Sequence, residues 1–157
     1  MAWKPQGYTS AAPYLVVDGA QRTIDFLVAV FGAEPLRMHP MGDRLGHAEV
    51  RIDDTVLMLA DGMEGWPAIA SHVHIYVPDV DATWGRALAA GAEPVQAPEE
   101  KGDGDRRGGF RDAGGSTWWV SPPGGWGGAG RAVAAASARW FAARRRWRAR
   151  RPGSPPG

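Results

Sequence analysis

The sequence predicts an α+β domain made of two tandem βαβββ modules. Three observations carry this. Phe31-Gly32-Ala33-Glu34-Pro35 returns almost letter for letter as Ala90-Gly91-Ala92-Glu93-Pro94. Leu15-Val16-Val17-Asp18 precedes the first copy as Tyr76-Val77-Pro78-Asp79 precedes the second, and Arg51 matches Arg111 downstream, sixty residues on. Each half also reads as strand, helix and three strands. A repeat of this size is one supersecondary unit that buries its apolar face against its twin.

In the first module, Pro13 to Val17 is a short apolar run ending in Asp18-Gly19, a strand with Asp18 placed to cap the next helix. Ile24, Leu27, Val28 and Phe31 make one helical stripe, and Gly32 follows where a left-handed stop favours glycine. Glu34 to Met38 is the next strand and Pro40 to Gly46 a turn. Ala48, Val50 and Ile52 alternate with His47, Glu49 and Arg51, which assigns them to opposite faces of a strand. Asp53-Asp54 turns into the strand Thr55 to Ala60, and Asp61 to Ser71 connects the modules while carrying Met63 and Trp66.

The second module opens with His72-Val73-His74-Ile75-Tyr76-Val77, predicted to turn His72, His74 and Tyr76 away from the helix. Asp79 or Asp81 caps a helix with the stripe Val80, Trp84, Ala87 and Leu88, stopped by Gly91. Strands follow at Glu93 to Gln96, Arg106 to Asp112 and Thr117 to Ser121, with a charged loop over Ala97 to Asp105. Trp118 and Trp119 are adjacent on a strand, so one faces the helix layer and the other the opposite face.

At 157 residues the chain has the size of one domain, with no apolar run long enough to span a membrane. It has no cysteine, so disulfide and thiol chemistry are excluded and the expected location is cytoplasmic. A net charge of +1 hides an asymmetry. Residues 1–112 hold all 17 acidic residues, whereas 113–157 hold eight arginines, no acid and only nine residue types. The domain is therefore read as residues 1–121, with modules at about 11–61 and 72–121. Residues 122–157 read as a Gly/Pro/Ala/Arg-rich basic tail, disordered or weakly helical because no apolar stripe runs along it. An alternative reading of this composition is a shifted frame in GC-rich DNA. Nucleic-acid contact through the tail is the weakest of the partner expectations.

The paired modules, Pro13-Tyr14-Leu15-Val16-Val17-Asp18, His47-Ala48-Glu49-Val50-Arg51-Ile52, and Gly104-Asp105-Arg106 with Arg111-Asp112 together resemble the vicinal oxygen chelate superfamily. This is the glyoxalase/bleomycin-resistance/dioxygenase group, and the resemblance covers roughly residues 5–121. It implies a cupped, barrel-like mixed sheet with helices outside, lined by both modules, and a homodimer. It also implies metal-ligand positions near Ala11, Met58, His72 and Trp119. Three of these four residues have no hard donor, while a divalent catalytic site needs about three N or O ligands. The expectation is therefore no catalytic metal. Asp112-Ala113-Gly114-Gly115-Ser116 likewise departs from the family's usual turn.

The expected pocket comprises His47, Glu49, Arg51, Met58, Trp66, His72, His74, Tyr76, Arg106 and Trp119. An inward Trp119 with Trp66 and Tyr76 would stack on a flat aromatic ligand. Arg51, Arg106 and Arg111 would hold an anionic group on it, or pair with Glu49, Asp105 or Asp112. His47, Glu49, His72 and His74 would form a metal or acid-base cluster in an enzyme, or line a wet cavity in a binding protein. The preferred function is a metal-independent protein enclosing a small aromatic metabolite or drug, like the family's antibiotic-sequestering members. The alternative is an enzyme: a metal-dependent lyase, isomerase or dioxygenase, or a metal-free acid-base catalyst.

Overall fold

In the computed structural model, residues 3–100, 102 and 105–123 are described. The reading of residues 124–157 as a tail lies outside them. The element order is β1 (Tyr14–Val17), α1 (Ala20–Phe31), β2 (Glu34–Met41), β3 (Arg44–Ile52) and β4 (Thr55–Asp61), repeated as β5 (His72–Tyr76), α2 (Val80–Ala89), β6 (Glu93–Glu100), β7 (Arg106–Arg111) and β8 (Thr117–Ser121). Each module forms a four-stranded mixed sheet, ordered β1-β4-β3-β2 and β5-β8-β7-β6. The first strand of each pairs in parallel with the last, and the other neighbours are antiparallel. The α+β class and the tandem modules are as predicted. The sheets are cupped and not closed into a barrel.

The alternation predicted for β3 holds: Ala48 and Val50 are fully buried on the helix side, with Leu57 and Leu59 of β4 beside them. Trp118 and Phe110 fill the equivalent place in the second module. One core runs through both modules. Phe26 and Phe31 of α1 lie 5.9 and 6.2 Å from Phe110, and Phe31 lies 6.0 Å from Trp118. Arg86 of α2 donates from Nε to the Val30 carbonyl at 3.0 Å, fastening the helices together. Both helices thus cover the faces opposite the cups.

Several local predictions need correction. Asp18 does not cap α1: Gly19 takes the cap position in the left-handed region at φ 83°, and Asp61 at the end of β4 accepts from the Ala20 amide at 2.6 Å. The second Asp61 oxygen accepts from the Leu45 amide at 2.7 Å, so one carboxylate ties the start of α1 to β3. Asp79 does cap α2, accepting from the Ala82 amide at 2.9 Å. Val28 and Leu88, assigned to the buried stripes, are exposed, and Phe26, Val30 and Thr83 are buried instead. Finally, β2 runs on through Pro40 and β6 through Pro98, because both are edge strands where a missing N–H faces outward.

Candidate functional site

Among the described residues, each sheet carries a hollow away from the helices. That of the second module has a volume of about 530 Å³ and is lined by His74, Tyr76, Asp105, Arg107, Trp119, Val120 and Ser121. Its floor is the Trp119 indole, which lies across Gly109 of the neighbouring strand. A Cβ on Gly109 would sit 2.5 Å from Cε3 and Cζ3 of that ring, so only glycine admits it. The indole N–H donates to His72 Nδ1 at 3.0 Å, with the ring planes 12° from parallel. Because an indole only donates, Nδ1 accepts, and the proton of the neutral imidazole sits on Nε2. His74 bonds Ser121 Oγ at 2.9 Å through Nε2 and meets Tyr76 edge-on at 5.0 Å. Burial, and then the charge of Arg107, hold His74 below its ordinary value of 6.5.

In the first module the organising group is the Glu49 carboxylate, 6% exposed. Its Oε2 accepts a hydrogen bond from the Tyr8 hydroxyl and lies 3.7 Å from Arg37 Nε. Its Oε1 faces His47 Nε2 at 3.2 Å. Burial pushes this carboxyl up, but the bonds from Tyr8 and His47 and the Arg37 charge outweigh it, so it rests below its ordinary 4.5. The same bond raises the Tyr8 phenol above 10.0. His47 adjoins Tyr14 at 5.9 Å, and Tyr14 stacks on Trp66 at 6.2 Å and 27°. Tyr14, Trp66 and Ile69 line a hollow of about 450 Å³ there.

The predicted site residues therefore divide between two places. His47, Glu49, Arg51, Met58 and Trp66 belong to the first module, with Met58 opposite both Tyr14 and Glu49 in the ladders. His72, His74, Tyr76 and Trp119 belong to the second. Trp66 partners Tyr14 and not the Trp119–Tyr76 group. Arg106 is a correction. It points to the helix side, where its Nε and Nη2 grip the Asp81 carboxylate of α2 at 2.7 and 2.8 Å, and Arg107 takes the place in the hollow. Arg51 and Arg111 pair across strands with Glu34 and Glu93, each at 3.8 Å, not with the carboxylates expected. Tyr8 and Tyr14, which the sequence reading passed over, join the candidate residues through Glu49, His47 and Trp66.

The residues at the metal positions implied by the resemblance do not fit a metal. Met58 and Trp119 offer no hard donor, and the lone pair of His72 Nδ1 is taken by Trp119. Among the described residues, no group of three or more His, Asp or Glu is placed to hold an ion.

The family model of the Glyoxalase/Bleomycin resistance protein/Dioxygenase superfamily matches residues 8–120. The chain belongs to this superfamily. An uncharacterised protein of Mycobacterium tuberculosis (strain H37Rv) is 38% identical over 122 residues, which cover 68% of this chain and 70% of that protein. A counterpart in Mycobacterium bovis is equally similar, over 78% of its length. Among solved structures of the superfamily's fold, TioX from Micromonospora sp. ML1 has a TM-score of 0.62 at 27% identity, covering 72% of this chain and 98% of TioX. TnmS3, an antibiotic binding protein from Streptomyces sp. CB03234, has a TM-score of 0.58 at 23% identity, covering 78% and 98%, a likeness of fold alone. Among the described residues, no helix is long and apolar enough to cross a membrane.

Proposed function

We propose that this chain is a binding protein for a small aromatic metabolite or drug, held without a catalytic metal by stacking on Trp119. The observation that carries this is the Trp119–His72 hydrogen bond. It puts a flat indole, fixed by its N–H and bedded on Gly109, where the resemblance implies metal ligands. Trp119 presents a wide apolar face at little entropic cost, and Tyr76 at the rim is 70% exposed and ready to close on a ring. His74, Ser121 and Arg107 add the few polar groups that orient a ligand. A volume of about 530 Å³ suits a drug-sized molecule. The antibiotic binding of TnmS3, which has the same fold, supports the same class of ligand here.

The protein acts as a homodimer in the cytoplasm. The open hollows expose Tyr14, Trp66 and Ile69 on the first module and Tyr76 on the second, apolar surface that a second copy covers while enclosing the ligand. Titration of wild type and Trp119→Ala with a panel of flat aromatic natural products tests the binding reading. Loss of a full stacking face should weaken a bound compound at least tenfold, about 1.4 kcal/mol or more. Equal affinities in the two proteins for every binder would refute it.

A further inference from the structure

We propose that the first module holds a second binding site, in which Glu49 takes the hydroxyl of a phenol-bearing aromatic molecule, and that Tyr8 occupies this site in the free chain. The inference rests on the binding reading in treating the chain as a small-molecule binder, but it concerns different residues.

The geometry points to a phenol in three steps. First, the Glu49 carboxylate is buried and only accepts hydrogen bonds, so whatever meets Oε2 must be a donor. Second, Arg37 stands 3.7 Å from the same oxygen, and the Arg51 guanidinium borders Gly7, next to Tyr8. These cations disfavour an ammonium donor, while the carboxylate itself repels an anion. A neutral donor is what remains, and the one this oxygen already takes is a phenol hydroxyl, that of Tyr8. Third, His47, Tyr14 and Trp66 run from the carboxylate to the hollow as a chain of adjoining rings, a surface for an aromatic body. Trp66 is 57% exposed and free to take a ring.

Tyr8 already meets this specification. It comes from 41 residues away in sequence, is half-buried, and its neighbours from Trp3 to Gly7 are exposed. Such a tethered group competes with an outside ligand as if present at about millimolar concentration. Removing its hydroxyl should therefore open the site.

The experiment is calorimetric titration of the full chain at pH 7 with 2-naphthol, and with 2-methylnaphthalene as the shape-matched control. Tyr8→Phe should bind 2-naphthol about tenfold more tightly than wild type, and the methyl compound no better. Tyr8→Phe/Glu49→Gln should lose the preference for the hydroxyl. As a check independent of any variant, the Tyr8 ring signal in wild-type NMR spectra should move to an exposed-tyrosine position at saturating 2-naphthol. Equal affinity for the two compounds in Tyr8→Phe, or an unmoved Tyr8 signal, would overturn the inference. Trp119→Ala separates the two sites. Binding that depends on Trp119 and ignores Tyr8 and Glu49 would refute this site and leave the earlier reading intact, and the reverse pattern would do the opposite.

Discussion

If Trp119 is held flat by the absence of a side chain at 109, then Gly109→Ala should change sign with its background. In the wild type, the new Cβ would stand 2.5 Å from two ring carbons and 3.2 Å from a third, so the indole must tilt away. Forcing it off its rotamer costs about 0.5–1.5 kcal/mol. Breaking the 3.0 Å bond to His72 costs about 1 kcal/mol more. Alanine restrains the unfolded chain and returns about 0.4–1 kcal/mol. The net expectation is a loss of about 1–2 kcal/mol. In Trp119→Ala no ring is present to meet, so Gly109→Ala should stabilise by about 0.5 kcal/mol. Urea denaturation followed by far-UV circular dichroism measures all four corners of the cycle, at equal slope. A coupling of about 1.5–2.5 kcal/mol is expected, whereas independent sites add to within about 0.5. A coupling below that limit would refute the bedding of Trp119 on Gly109.

Two further outcomes follow from the first module. Asp61→Ala removes the acceptor of both the Ala20 and Leu45 amides, and should cost about 2–3 kcal/mol in the same denaturation assay. A loss under about 0.5 kcal/mol would mean water replaces the carboxylate at no cost. Glu49 has a folded pKa below its ordinary 4.5, so it contributes stability above that value that is lost as pH falls through the folded one. Thermal melts between pH 3 and 7 should show a shallower acid decline for Glu49→Gln than for wild type, and parallel curves would contradict the Tyr8–Glu49–His47 arrangement.

The repeat, the alternation in β3 and β5 and the opposed faces of Trp118 and Trp119 were legible in the sequence, because each rests on a local period or a duplication. What was not legible depended on partners far along the chain. Asp18 is the right residue type beside α1, but Asp61 wins because the parallel β1–β4 pairing brings it to the helix start. Pro40 and Pro98 looked like strand ends, and whether a strand lies at an edge is a property of the sheet. Arg106 and Arg107 could not be assigned to faces until the Gly109–Trp119 contact fixed the parity of β7. Tyr8 sits in a polar lead-in with no periodic signal, and only its partner 41 residues away gives it a role.

The central claim is that an aromatic floor stands where the resemblance implies metal ligands. Metal content by mass spectrometry tests it most directly, on the full chain and on His72→Ala, each before and after incubation with manganese, iron, nickel and zinc. The account predicts no stoichiometric metal in either protein, and a change in aromatic-ligand affinity on His72→Ala of tenfold or less, about 1.4 kcal/mol. Close to one ion per chain in the wild type, lost in His72→Ala, would contradict it and make the metalloenzyme reading the better one.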